Sequence, residues 1–295
     1  MRVNPNPTPG LLDALQRTQR EVEDAMLQMS SGRRVNVPSD DPAAAAVLVQ
    51  NQAESAQVDQ FLKTSSSLSY QLQTADSTLN SVVLALQRAI SLGVEGATGT
   101  LSDANRASLA QEVSGIRDQL VSLANLSFQG RFVFAGTETQ TQPFVVDPTQ
   151  TSGVRYDGNT QVNYVTIGEG LSQQTNLPGT QIFMAPGSDM FQAVTDLVTS
   201  LQNGTGMDAA VVGVRAAFDF VTGQRVFYGN AVNQIEGQQS YLNTEKLQLS
   251  QQQNDVGGAD LAAAASNLVN TQNARSATLE AVGRVSQLNL FDYLT

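Results

Sequence analysis

The residue types that most often carry out chemistry in proteins are scarce in this chain. Its 295 residues contain no His and no Cys, so a Ser-His-Asp centre, a Cys-His centre and a typical zinc site are excluded. Two carboxylates could still act as an acid and a base, and the adjacent acidic pairs are Glu23-Asp24 and Asp40-Asp41. The first pair lies on the polar side of a predicted helix, and the second precedes Pro42 at a predicted helix start, where capping explains it. We expect no catalytic residue.

Motifs that bind metals or cofactors are also missing. Asp255 and Asp260 flank Gly257-Gly258, but this spacing lacks the regular ligand series of a calcium loop, and a helix start explains it better. Gly168-Glu169-Gly170 is not followed by the Gly-Lys-Ser of a phosphate-binding loop. The sequence therefore predicts neither a bound metal nor a cofactor.

The charge of the chain limits its partners. A net charge of -11 argues against binding to nucleic acid or to an anionic membrane. Only 15% of the residues are charged, and the amide and hydroxyl residues that replace them cost less to bury between subunits. The longest apolar run, residues 43–49, is too short to span a bilayer. Residues 1–16 do not form an ordinary secretory signal, so we expect a cytoplasmic protein or an unconventional export route.

Heptad spacing is the strongest structural signal in the sequence. From Val58 to Gly93 the inward positions alternate in steps of three and four, which predicts a long helix in a coiled coil. This helix should start at Pro42, behind Asp41 as its cap. Ser102 or Asp103 should cap the next helix, and the two should form an antiparallel hairpin. Helical spacing returns near residue 189, and we predict separate helices over 207–221 and 224–255.

The middle of the chain has the composition of strands and turns. Gly130 is predicted to end the preceding helix, and the β-branched and aromatic residues after it favour strands. The predicted strands are Arg131–Ala135, Phe144–Val146, Val154–Tyr156, Val162–Ile167 and Gln181–Met184.

The two terminal helices, residues 11–29 and 261–290, lie beyond breaks at Gly32 and at Gly257-Gly258. Each carries an apolar stripe that a soluble monomer rarely leaves exposed. The helices could pair and meet other subunits, remain disordered until they do, or simply join the helical body. The predicted subunit-interface residues are Leu11, Leu15, Val22, Met26, Met29, Leu261, Leu268, Leu279, Val282, Leu288, Leu290 and Leu294.

These segments predict a mainly α fold with a β insertion, in which both chain ends form a long heptad-patterned helical bundle. We expect a terminal coiled-coil domain (1–34 with 258–295), a helical body (35–130 with 190–257) and an inserted β-rich domain (131–189). The predicted junction between the last two lies at Gly130, Arg131 and Gly187.

Several motifs resemble those of known bacterial proteins. Residues 28–36, QMSSGRRVN, are similar to the segment after the first helix of bacterial flagellins. Residues 38–42 (PSDDP), 130–137 (GRFVFAGT) and 290–294 (LFDYL) resemble the hook–filament junction proteins of the flagellin-like family. The resemblance extends over nearly the whole chain. Gly257-Gly258 departs from it, because the family more often has acidic residues there.

The resemblance implies a structural role outside the cell. A junction protein is exported unfolded by the flagellar type III system, without a cleaved signal peptide and with the help of a chaperone. It forms a ring of its own copies between hook-associated protein 1 and flagellin. The terminal helices would then line the inner tube, and the β-rich domain would be the outer domain.

Two other functions remain open at this point. The first alternative is flagellin, the subunit of the filament itself. The second is an enzymatic or sugar-binding module carried on a coiled-coil body. A pocket with converging polar groups in residues 131–189 would favour the second alternative.

Overall fold

The computed structural model describes residues 8–99 and 101–291. Their packing divides the chain into two units: residues up to Gln57 with those from Glu245, and Val58–Thr244. The helices are α1 (Thr8–Ser31), α2 (Pro42–Gly96), α3 (Asp103–Ala124), α4 (Gly179–Phe183), α5 (Met190–Asn203), α6 (Met207–Gly257) and α7 (Leu261–Phe291).

Short hairpins make up the β structure of the described residues. The strands pair as β1 (Ser127–Phe128) with β2 (Arg131–Phe132), β3 (Phe144–Val146) with β4 (Val154–Tyr156), β5 (Tyr164–Gly168) with β6 (Leu171–Gln174), and β7 (Met184–Ala185) with β8 (Ser188–Asp189). All four pairs are antiparallel. The predicted fold class, mainly α with a strand-rich insertion, is confirmed.

Local capping explains where the long helices begin. The Ala44 N–H donates to Asp41 Oδ1 at 3.0 Å, and Pro42 is the first residue of α2, as predicted. The Asn105 N–H donates to Ser102 Oγ at 3.3 Å at the start of α3. Asp260 accepts the N–H groups that open α7. These side chains satisfy amide groups that have no partner within the first turn of a helix.

The core of the 58–244 unit follows the predicted heptad seam. Leu72, Leu79 and Leu86 on α2 are fully buried and belong to one hydrophobic cluster with side chains of α3, α5 and α6. The same cluster contains Phe134 and Phe144 of the strand-rich segment. The strand-rich segment and the helices around it therefore share a single core. That the strand-rich segment is a separate domain stays a prediction.

Two sequence-based predictions within the strand-rich segment are wrong. Residues 181–183 are not in a strand, because α4 covers Gly179–Phe183, and of the predicted strand Gln181–Met184 only Met184 lies in one, β7. Ile182 and Phe183 are both fully buried in the same core, whereas neighbouring side chains of a strand point to opposite faces. Gly130 does not end a helix, since α3 ends at Ala124. Instead Gln129 (φ 51°) and Gly130 (φ 76°) form the two-residue turn between β1 and β2, a turn that needs positive φ.

The predicted helix break between residues 221 and 224 is also absent. α6 runs without interruption from Met207 to Gly257. Val221 is fully buried, so the packing of this turn holds the helix through Gly223, where glycine alone would weaken it.

Candidate interaction surface on the terminal helices

No chemical centre appears among the described residues. They contain no group of three or more Asp or Glu side chains that could hold a metal ion. None of the described helices is long and apolar enough to cross a membrane. Asp40 is a structural residue, since its carboxylate accepts the N–H groups of Val37 at 3.0 Å and Asn36 at 2.9 Å. These two hydrogen bonds lower the pKa of Asp40.

Arg34 ties together the two chain segments that lead into α1 and α7. Its guanidinium donates to the Asp41 carboxylate at 3.1 Å and to the Val256 carbonyl at 2.8 Å. Its own backbone N–H donates to the Gly257 carbonyl at 2.8 Å. The pKa of Asp41 is lowered first by the Ala44 N–H and then by Arg34. These hydrogen bonds therefore fix the linker between α1 and α2 to the start of α2 and to the end of α6.

The two terminal helices pack along each other and run antiparallel. The Ala259 N–H donates to the Gly32 carbonyl at 3.0 Å, which joins the end of α1 to the start of α7. Val22 and Ala25 of α1 and Ala264 of α7 are buried in this pair. The predicted interface residues Leu15, Leu268 and Val282 are half-buried.

The seam between α1 and α7 is poorly apolar. Thr18, Thr271 and Arg275 are half-buried at positions in or near it. The Arg275 Nε atom is buried and has no hydrogen-bond partner among the described residues. A buried donor without a partner costs about 1–3 kcal/mol. The contacts within the pair are thus a weak source of stability for two long helices.

A second set of large apolar side chains on the pair faces outward. Their exposed fractions lie between 40% and 56%. Four were predicted as interface residues: Met26, Met29, Leu261 and Leu279. Three others, Leu12, Leu27 and Val269, were not among the predicted interface residues. Adjacent apolar residues on a helix cannot share one seam, so the pairs Leu11-Leu12, Met26-Leu27 and Leu268-Val269 could have shown that some apolar side chains lie outside the seam.

The remaining predicted site residues divide into two groups. The side chains of Leu11, Leu288 and Leu290, and the whole of Leu294, lie outside the described part of the chain. Gly130 and Arg131 lie in the β1–β2 hairpin, and Gly187 (φ 79°) lies in the turn between β7 and β8. Their role as a domain junction stays a prediction.

The exposed apolar side chains of α1 and α7 are candidates for contacts with other proteins. Burial of apolar area contributes about 25 cal/mol per Å², so covering them would stabilise the pair. These side chains remain 40–56% exposed in the single chain. The geometry therefore favours a helical protein that associates through its two chain ends.

Comparison with known proteins agrees with this geometry. Residues 8–139 match the bacterial flagellin N-terminal helical region. Flagellar hook-associated protein 3 of Escherichia coli strain K12 is 28% identical over 298 residues, which cover 90% of each chain. Its namesake from Salmonella typhimurium is 36% identical over 169 residues, or 57% of this chain and 49% of that protein.

A solved structure extends the similarity to the fold. A putative flagellar hook-associated protein from Vibrio parahaemolyticus aligns with a TM-score of 0.69 and 22% identity, covering 74% of this chain and all of that one. The chain is thus similar to bacterial flagellar structural proteins of the flagellin-like family. Its similarity to flagellar hook-associated protein 3 extends along nearly its whole length.

Proposed function

We propose that this protein joins the flagellar hook to the flagellin filament as a junction ring. The observation that carries the proposal is the similarity to hook-associated protein 3 over 90% of both chains. In this role the protein contacts hook-associated protein 1 on one side, flagellin on the other and its own copies within the ring. It acts outside the cell as a structural protein and catalyses no reaction.

The exposed apolar face of α1 and α7 supplies the association surface in this proposal. Contacts between successive copies in a tube or ring are heterologous, so each copy needs a surface that is incomplete by itself. Outward residues such as Met26, Leu261 and Leu279 meet that requirement. The inner-tube position of the terminal helices and the outer position of the strand-rich segment belong to the same proposal.

Export is the remaining part of the proposal. The protein leaves the cell unfolded through the flagellar type III system, without a cleaved signal peptide, and a chaperone holds it beforehand. The absence of Cys from the sequence suits an unfolded chain that crosses compartments, because no disulfide can form on the way.

Antibody-labelled electron microscopy of flagella tests the position of the protein. We expect label in a single spot where the hook meets the filament. Label along the whole filament would contradict the junction role and favour the flagellin alternative. Label that is absent from the flagellum would contradict both.

Substitutions on the terminal pair test the association surface. Met26→Ser with Leu279→Ser should leave the helical circular dichroism unchanged but abolish incorporation at the junction, because both side chains are exposed in the single chain. Val212→Ser on α6 is the control, since Val212 is 65% exposed and thus more exposed than Met26 (49%) and Leu279 (47%). Normal incorporation of the double variant would show that this face is not the association surface.

A further inference from the structure

A polar groove runs between α2 and the β5–β6 hairpin. It consists of two adjoining cavities of about 280 and 530 Å³. Both are lined by Ser67 and Gln71 of α2 and by Val165 of β5, so they form one continuous groove. The flagellar role proposed above gives no function to this groove.

The hydrogen-bond pattern of the hairpin shows which main-chain groups of β5 are free. The Thr175 N–H donates to the Asn163 carbonyl at 2.9 Å, so these two residues form a hydrogen-bonded pair just before the strand. Pairs of this kind alternate along an antiparallel ladder. The next pair, Tyr164 with Gln174, is therefore not hydrogen-bonded, and the same holds for Thr166 with Ser172.

The main-chain groups of Tyr164 and Thr166 consequently point away from β6. Among the described strands, β5 pairs with β6 alone. Tyr164 and Val165 of β5 line the groove, and so do Thr175 and Asn176, which directly follow β6. The unpaired edge of β5 adjoins the groove at Tyr164, where it offers N–H and C=O groups to a further strand.

The charge of the groove is opposite to that of the chain. Its charged lining residues are Lys63 and Arg131, and no carboxylate lines it. Neither cation forms an ion pair within the described part of the chain. Since the chain as a whole carries a charge of -11, two unpaired cations beside a free strand edge indicate an anionic ligand.

The size of the groove fits a short extended peptide. The α2 residues that line it run from Gln60 to Gln71, which corresponds to about 17 Å at 1.5 Å per helical residue. An extended chain covers that distance with about five residues at 3.3 Å each. Two of the five residues of β5, Tyr164 and Val165, line the groove. The Tyr164 ring, 63% exposed, adds an aromatic surface beside this edge.

We propose that this groove binds an extended acidic peptide segment of another protein, which adds as a third strand to the free edge of β5. Main-chain hydrogen bonds would provide affinity, and Lys63 and Arg131 would select carboxylates. A second copy of this chain would have to present such an acidic extended segment, and its binding in the groove is one of the outcomes that the test below distinguishes. The inference does not depend on the position of the protein in the flagellum.

Isothermal titration calorimetry on the full-length protein tests the proposal. The probe is the capped peptide Thr-Glu-Val-Glu-Val-Thr, and the control has Lys in place of both Glu residues. We expect the acidic peptide to bind and the basic peptide to bind at least about tenfold more weakly. A third peptide, methylated on the backbone nitrogens of one edge, should also lose binding, because it cannot complete the ladder.

Matched substitutions distinguish the free edge of β5 from the rest of the hairpin. Thr166→Pro removes an outward N–H without breaking a bond to β6, and Ser172→Pro does the same on the outer edge of β6. We expect Thr166→Pro to weaken binding of the acidic peptide at least about tenfold. Ser172→Pro should leave the Kd of the acidic peptide within about twofold of the wild-type value. Circular dichroism checks that both variants are folded.

A second matched pair isolates the charge. Arg131→Gln should weaken binding of the acidic peptide, whereas Arg155→Gln should not. Arg155 is paired with Asp147 and Asp157 on another hairpin. Equal affinity of the wild type and the Thr166→Pro variant for the acidic peptide would overturn the proposal. So would binding of trigalacturonic acid in place of the peptide, which would assign the groove to an acidic saccharide. Dimerisation of the protein that is lost in Thr166→Pro would assign it to a second copy.

Discussion

Phe144 joins the strand-rich segment to the helices, and its removal should unfold both together. Its side chain is fully buried. Its ring centroid lies 5.1 Å from that of Tyr156 on β4, 5.5 Å from that of Phe183 on α4, and 5.3 Å from that of Phe191 on α5. A single side chain thus contacts both halves of the core in the 58–244 unit.

The size of the effect follows from this burial. Replacing a buried Phe by Ala costs about 3–5 kcal/mol, because the apolar contacts are lost and a cavity remains. For a unit of this length, 1 kcal/mol corresponds to about 2–4 °C in Tm. We therefore expect Phe144→Ala to lower the Tm of the helical transition by about 6–20 °C.

The assay is thermal unfolding followed by circular dichroism at a helical wavelength, together with near-ultraviolet dichroism of the Tyr and Phe rings. Val146→Ala is the matched control on the same strand. Val146 is 57% exposed, so its substitution should change the free energy of unfolding by no more than about 0.5 kcal/mol. In Phe144→Ala both signals should shift together. A helical transition that keeps the wild-type Tm while the ring signal melts early would refute the shared core and support an independent β-rich domain.

Two further predictions concern the cap of α5 and the terminal helices. Asp189 accepts the Gln192 N–H at 2.9 Å, and burial is the main cause that raises its pKa above 3.8. Because the folded pKa is the higher one, ionisation of Asp189 reduces stability as the pH rises through this window. Asp189→Asn keeps a good cap and should raise Tm near pH 7 but not near pH 3 in calorimetry. In hydrogen exchange of the isolated protein, amides of α1 and α7 should exchange much faster than those of α2 around Leu79. The reason is that the α1–α7 seam contains the polar residues Thr18, Thr271 and Arg275. Equal protection of the three helices would contradict a weak α1–α7 pair.

Local signals were sufficient for much of this fold. The alternation of three and four along α2 predicted the buried positions Leu72, Leu79 and Leu86 correctly, because helical geometry alone decides which side chains share a face. Asp41 and Pro42 predicted the start of α2, since a cap depends on neighbours within one turn. The lack of His and Cys excluded whole classes of chemistry before any fold was considered.

Other features were decided by contacts between residues far apart in the chain. Ile182 and Phe183 look like a strand locally, yet both enter the common core from α4. Gly223 looks like a break, yet buried Val221 holds α6 together. In each case the free energy of burial exceeds a local preference of about 1 kcal/mol or less.

For the terminal helices, too, the sequence determined some features and the tertiary structure determined others. The sequence by itself determined that both chain ends are helices set apart by Gly32 and by Gly257-Gly258. Only the tertiary structure decided that Val22 faces the partner helix within the pair while Met26 and Leu279 remain outside it. Which apolar side chains of these helices are buried depends on the packing of α1 against α7, and helical periodicity alone does not decide it. The free edge of β5 was likewise invisible in the sequence, because the strands that pair and the edge that stays open depend on the whole arrangement of the hairpins.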